Sequence, residues 1–173
     1  MESLKESTGV RKLSLSKRLE RIYQLLDPSY EVWDLCCDHG LVGRRCLMSG
    51  RFPGVIFVDK SELAVGPLRN LLNKYQYDLL SVGAALQLRV GDMLKMAMPS
   101  ERANIVISGV GAHLIVKFLS RLGPIKHINL VLGPNKSPEM VRSELKRRGW
   151  SIRTDEEIIE RGRKRWIMQA QIV

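Results

Sequence analysis

No apolar run in this chain is long enough to cross a membrane. The stretch from Met1 to Lys12 is polar and lacks the apolar core of a signal peptide. Cysteine is scarce: there are 3, at Cys36, Cys37 and Cys46. An odd number clustered near one turn argues against a disulfide framework, and no C-x-x-C pair is present for zinc. These absences predict a cytoplasmic protein that needs no metal. Acidic residues are also few beside basic ones, 18 Asp and Glu against 28 Lys and Arg, for a net charge of +10. Such a balance points to a polyanionic partner, most simply a nucleic acid; the alternative is a merely solubilising surface. The remainder is ordinary for a globular protein, 45% hydrophobic and 27% charged over 173 residues, enough for one domain with a real core.

A third glycine is missing from the turn after the first apolar run. The stretch Val32-Trp33-Asp34-Leu35-Cys36-Cys37-Asp38-His39-Gly40-Leu41-Val42-Gly43 begins as an apolar run and ends in a small-residue turn that opens a helix. The next apolar run, Gly54 to Val58, ends in Asp59 and Lys60. Strand, turn, helix, strand, acid is the first half of a nucleotide-binding α/β fold. Asp59 lies nineteen residues after Gly40, where a carboxylate can accept from both hydroxyls of a ribose. A dinucleotide site would show G-x-G-x-x-G, because pyrophosphate must touch the backbone. Here only Gly40 and Gly43 remain, and Cys36 and Asp38 hold the earlier turn positions. A carboxylate in that turn repels pyrophosphate. It suits S-adenosylmethionine, which has a sulfonium and an ammonium and no phosphate. The other role open to Asp38 is a plain cap on the helix near Gly40.

Periodicity orders the rest of the chain. Residues 1–12 read as a flexible tail and 13–173 as a single domain. Leu15, Leu19, Ile22, Leu25 and Leu26 recur at helical spacing over 14–26, with Lys17, Arg18 and Arg21 on the other face, and Asp27-Pro28 ends the helix. Strands are expected at 30–35, 54–58, 86–90, 104–108 and 128–132. Helices are expected at 41–49, from Ser61 through Leu72, at 112–122, and from Ser137-Pro138 to Gly149, with Ser137 as cap. Strands 151–160 and 164–172, joined at Arg161-Gly162-Arg163, close the chain as a hairpin. Five alternating strands imply a parallel sheet with right-handed crossovers. The closing hairpin must add antiparallel pairing at one edge. The fold class is therefore α/β: a Rossmann-like class I methyltransferase fold, with a mostly parallel seven-stranded sheet, helices on both faces and a C-terminal antiparallel hairpin.

Several segments occur in the order seen in one family. They are Leu15-Ser16-Lys17-Arg18-Leu19, Asp34-Leu35-Cys36-Cys37-Asp38-His39-Gly40, Arg89-Val90-Gly91-Asp92, Ile107-Ser108-Gly109-Val110-Gly111 and Gly133-Pro134-Asn135. In these the chain resembles the TrmK family of bacterial tRNA adenine-N1 methyltransferases, over roughly residues 13–173. The family's patterns are L-S-K-R-L, D-I-G-S-D-H-A-Y-L-P, G-D-G-L, I-A-G-M-G-G and Q-P-N. Departures are Cys36 for the first glycine, Leu41 for the tyrosine, Ala112 for the last glycine of G-M-G-G, and Gly133 for the glutamine. The family's helical C-terminal extension is expected to be absent.

The resemblance implies an S-adenosylmethionine-dependent enzyme acting on RNA, at N1 of an adenosine in tRNA. Its alternatives are a methyltransferase for another nucleic acid or a small molecule, and a non-catalytic basic RNA-binding protein that keeps the fold. Asp34, Asp38 and His39 would line the methionine end of the cofactor and Asp59 would hold the ribose, with Cys36, Gly40 and Lys60 also in the cofactor-binding set. Asp92 would accept from the adenine amino group and Met93 would pack on the ring. Gly109, Val110 and Gly111 would face the acceptor. Asn135, with an amide oxygen and nitrogen, is the catalytic candidate that reads the Watson–Crick edge. Each residue has a plainer alternative: a helix cap for Asp92, a buried hydrogen-bonded imidazole for His39, a tight turn for Gly109 and Gly111, an Asx turn for Asn135. RNA would be held by Lys17, Arg18 and Arg21, by Lys146, Arg147 and Arg148, and by Arg163, Lys164 and Arg165 beside Arg161. Trp150 and Trp166 read as core rather than as stacking platforms.

Overall fold

The computed structural model describes residues 13–74, 85–99, 101–123 and 125–172. The tail expected at 1–12 lies outside them. One sheet of seven strands runs β3-β2-β1-β4-β5-β7-β6. Its strands are β1 (Glu31–Leu35), β2 (Gly54–Asp59), β3 (Ala85–Val90), β4 (Ala103–Val110), β5 (Ile128–Pro134), β6 (Ser151–Glu160) and β7 (Arg163–Gln171). The first five pair in parallel, with Trp33 beside both Ile56 and Ile105. β7 lies antiparallel between β5 and β6, with Leu130 opposite Ala170. The strand order reverses between β1 and β4. Such a switch point leaves a crevice at the carboxyl ends of the strands.

Alternation along the buried strands sends side chains to two separate cores. Val32, Val55, Phe57, Val106 and Val131 pack beneath α1 (Lys17–Gln24), α2 (Leu41–Ser49) and α3 (Glu62–Lys74). Trp33, Leu35, Ile56, Ile105, Ile107 and Leu130 pack beneath α4 (Ala112–Arg121) and α5 (Pro138–Arg147). Among the described residues no helix is long and apolar enough to cross a membrane.

The first helix is shorter than its apolar periodicity suggests. Ser16 is extended (φ −65°, ψ 160°) and caps α1 by accepting from Leu19 N. Its basic face is engaged within the fold. Arg18 and Arg21 are not simply solvated; they pair with Glu160 and Glu156 of β6 at 3.2 and 2.6 Å. Behind α1 runs a buried polar chain. Asn104 Nδ2 donates to the carbonyls of Asp27 and Tyr30, and Asn129 Nδ2 donates to Asn104 Oδ1 and to the Leu25 carbonyl. Gln169 Nε2 donates to Asn129 Oδ1 at 3.0 Å. These bonds satisfy carbonyls at the end of α1 and tie it to β4, β5 and β7.

Ser137 precedes α5 as expected but does not cap it through its side chain. Its backbone is left-handed (φ 54°) and its hydroxyl makes no capping bond. The closing hairpin turns on two residues, since Glu160 pairs directly with Arg163. Arg161 and Gly162 both hold positive φ, 51° and 72°, the conformation that such a tight turn requires.

Candidate active site

A crevice of about 460 Å³ opens at the carboxyl ends of β1, β2 and β4. Asp34, Asp38 and Asp59 all line it. Local geometry explains how they are placed. The chain leaves β1 through two non-glycine residues at positive φ, Cys36 at 56° and Asp38 at 49°. That conformation costs an ordinary residue about a kcal/mol or more, so the surroundings must hold it. Three hydrogen bonds do so: Cys37 N to the Val58 carbonyl at 3.1 Å, Asp38 N to Asp59 Oδ2 at 3.0 Å, and Gly40 N to the Cys37 carbonyl at 2.7 Å. The helix then starts at Gly40 (φ 61°), so Asp38 is not its cap.

The same bonds decide what the turn can hold. A phosphate site needs backbone N–H groups pointing at the ligand. Here the amides of Cys37, Asp38 and Gly40 already donate within the protein. The two glycines serve packing instead. A Cβ on Gly43 would stand 2.3 Å from Phe57 Cε1, and one on Gly40 would stand 2.8 Å from Leu68 Cδ2.

Asp34 is buried, 5% exposed, and accepts from Gly43 N at 2.9 Å. Burial pushes its carboxyl up to about 7, opposed by the Gly43 bond and reinforced by the charge of Asp59. Asp59 sits at the end of β2 and also accepts from Ser61 N at 2.9 Å. Each of its oxygens has taken one backbone N–H, which leaves a further lone pair on each for a ligand. The Cys36 thiol is held up at about 11 by burial and by Asp59 and Asp34. It packs against Met93, with sulfurs 3.7 Å apart. Burial also raises the Cys37 and Cys46 thiols, so neither is a thiolate nucleophile at neutral pH.

Most of the expected cofactor residues come together. Asp34, Cys36, Asp38, His39, Asp59, Lys60, Gly109 and Val110 line the crevice. His39 is not a buried imidazole: its side chain is 67% exposed, with Nε2 3.7 Å from Asp38 Oδ2. Gly40, Asp92, Met93, Gly111 and Asn135 stand off the crevice wall. Asp92 Oδ1 accepts from Leu94 N at 2.8 Å, the plainer role open to it, although its charge reaches Cys36. Met93 is buried in the core. Gly109 needs its glycine, since φ is +78°; Gly111 does not, at φ −74° with open space where a Cβ would stand. Asn135 binds the neighbouring loop. Its Nδ2 donates to the Gly109 carbonyl at 2.6 Å and its N to the Val110 carbonyl at 2.9 Å.

Crevice residues that were not expected at the cofactor come from elsewhere in the chain. Arg18 and Leu19 reach in from α1, Ala64 from α3 and Leu114 from α4. Arg18 and Leu19 had a signal in the motif Leu15-Ser16-Lys17-Arg18-Leu19 and Ala64 in its place one turn past the acid that ends β2; Leu114 is brought in by tertiary packing alone. Several basic residues expected on an RNA face are engaged with carboxylates. Besides Arg18 and Arg21, Arg147 and Arg148 both meet Glu144, and Lys164 meets Glu157. Among the described residues no group of three or more His, Cys, Asp or Glu is placed to hold a metal.

Residues 15–168 match a protein family described as a methyltransferase domain. The chain belongs to that methyltransferase family. A search of curated proteins finds no match to it. Solved structures share the methyltransferase fold at low identity. Bacillus subtilis TrmK, a tRNA m1A22 methyltransferase, superposes with a TM-score of 0.81 at 22% identity, covering 94% of this chain and 68% of that one. Mycoplasma capricolum TrmK, solved with S-adenosylhomocysteine, gives 0.78 at 17% identity, covering 91% and 68%. Streptococcus pneumoniae Sp1610, solved with S-adenosylmethionine, gives 0.77 at 20% identity, covering 92% and 73%.

Proposed function

We propose that this methyltransferase domain uses S-adenosylmethionine to methylate N1 of an adenosine in tRNA. One observation carries the choice of cofactor: in the turn after β1 the amides of Cys37, Asp38 and Gly40 are spent internally, and three aspartates line the crevice beside Lys60 and Arg18. Such a site rejects a pyrophosphate and favours a ligand that is cationic at its reacting end. The cavity volume suits a ligand of that size. The fold shared with the tRNA methyltransferases supports the choice of RNA and of adenine.

Bound S-adenosylmethionine supplies an electrophilic methyl group on sulfonium. The chain's own residues do the rest. Asp59 accepts from the ribose hydroxyls with its two remaining lone pairs. Asp34 and Asp38 hold the cationic end, with Cys36, His39 and Lys60 as walls; Asp92 and Met93 buttress Cys36 from behind. Gly109 and Val110, backed by Gly111, present an open backbone to the acceptor. Asn135 is fixed by its bond to Gly109 and offers Oδ1 to the adenine amino group, whose acidity rises as N1 becomes cationic. Adenine N1 has an in-plane lone pair, so alignment and exclusion of water are the protein's main tasks. N1 lies on the Watson–Crick edge, so the base must be unpaired or flipped. The basic residues Lys17, Arg18, Arg21, Lys146, Arg147, Arg148, Arg163, Lys164 and Arg165 supply the electrostatic surface for RNA.

The test is transfer of labelled methyl from S-adenosylmethionine into total tRNA. Incorporation that depends on the protein supports the reading; cofactor binding without incorporation contradicts it.

A further inference from the structure

A second cavity, of about 580 Å³, adjoins the crevice and is more cationic: four arginines and one glutamate line it, against three aspartates beside Arg18 and Lys60 in the crevice. The two share one wall, formed by Arg18, Leu19 and Leu41. Beyond that wall the lining includes Arg161, Arg163 and Arg165 and one carboxylate, Glu160. Strand alternation explains why Lys164 is not among them. Arg163 and Arg165 leave β7 on one face, and Lys164 leaves on the other, where Nζ meets Glu157 Oε1 at 3.0 Å. Among the described residues, the cations lining this cavity are arginines, whose planar fork matches phosphate in a bidentate manner.

Two further features face the same space. Ser14 and Ser16 line it at the entry to α1. The first turn of α1 adds partial positive charge at this end, although the Leu19 amide is already taken by Ser16 Oγ. Arg18 is only partly satisfied. Its Nε donates to Glu160 Oε2 at 3.2 Å, while Nη1 is buried without a partner among the described residues. Glu160 Oε1 is buried and unpartnered as well. Both atoms are shut off from solvent, so a ligand in the cavity meets Arg161, Arg163 and Arg165 rather than these two atoms.

We propose that this arginine-lined cavity takes a backbone phosphate of the RNA, adjacent to the base presented at the shared wall. The inference rests on the RNA reading above and assigns the place where the strand is gripped. Leu41, apolar and common to both cavities, lies between the cationic phosphate site and the acidic cofactor site. A nucleotide straddling it would put its phosphate among arginines and its base at the mouth of the crevice. The difference in charge between the two cavities fixes the direction, since the phosphate is repelled from the carboxylates.

The experiment compares two double variants of the full chain that remove equal charge. Arg163→Gln with Arg165→Gln alters the cavity. Arg102→Gln with Lys126→Gln alters exposed residues at the opposite end of the sheet, before β4 and β5. Affinity for S-adenosylhomocysteine, Kd for tRNA across a salt series, and KM for tRNA are measured for each. S-Adenosylhomocysteine affinity should stay unchanged in both, which also shows that they fold. The cavity variant should bind tRNA at least about tenfold more weakly, with the log–log salt slope shallower by about 0.7–0.9 for each phosphate no longer held. The distant variant should keep the original slope. Equal losses in both variants, or none in the cavity variant, would overturn the proposal and leave the RNA reading standing. Failure of the unaltered protein to bind tRNA with any salt dependence would overturn the RNA reading itself, and the proposal with it.

Discussion

Asp34 and Asp59 carry most of the argument at the residue scale, and they behave differently. Asp59 has a structural role beside its proposed one at the ribose, because each oxygen already accepts one backbone N–H. Asp59→Ala should weaken S-adenosylhomocysteine binding by about tenfold to a hundredfold, the loss of hydrogen bonds to a charged acceptor worth about 1.5–3 kcal/mol. Calorimetry measures it, and unchanged affinity would remove Asp59 from the site. Asp34 is a stability liability as well as a candidate ligand. Its carboxyl rests at about 7 in the fold against 3.8 ordinarily, so between those values the folded protein holds a proton that the unfolded chain releases. Its contribution to stability therefore declines as pH rises through that window, and levels off above about 7. Asp34→Asn keeps an oxygen for the Gly43 amide and removes the titration. The stability of this variant relative to the parent should climb from about pH 4 to about pH 7 and then flatten. Urea unfolding across pH tests this; a constant difference would mean that Asp34 is ionised in the fold throughout.

At the scale of elements, the turn between β1 and α2 shows what packing asks of glycine. Gly43 lets α2 lie directly on Phe57 of β2, and an added methyl has no room. Gly43→Ala should destabilise the protein by about 1–3 kcal/mol, as overpacking does. Adding Phe57→Leu removes the ring edge that the methyl strikes, and should recover part of the loss in the same denaturant titration. No recovery would place the strain elsewhere. This turn was legible in the sequence because its chemistry is local: an apolar run, a turn with Asp38 and Gly40, and an acid after the next strand. The sheet order was legible for the same reason, since alternating elements followed by a hairpin leave few topologies. Other features were hidden. Asn104 and Asn129 interrupt apolar strands and gave no sign that they anchor α1 to three strands. Ser137 has the right sequence context for a cap but the wrong backbone conformation. Arg18 reads as an RNA-facing helix residue until β6, far along the chain, brings Glu160 beside it. Asp92 and Met93 sit close behind the crevice rather than on its wall, a distinction set by side-chain direction that spacing alone does not encode.

For the whole molecule, charge is divided rather than uniform. The net charge is +10, yet the switch-point crevice is lined by carboxylates. On the proposed reading, the positive net charge would draw a polyanion in, and the aspartates of the cleft would favour the cationic cofactor over a phosphate. Those two fields together argue for methyl transfer to a nucleic acid base more strongly than either alone. The most direct measurement is nucleoside analysis of total tRNA after incubation with the protein and labelled S-adenosylmethionine. The account requires the label in 1-methyladenosine, and its absence when Asp59→Ala replaces the parent. Label in a methylated guanine or cytosine, or in no nucleoside at all, would contradict it.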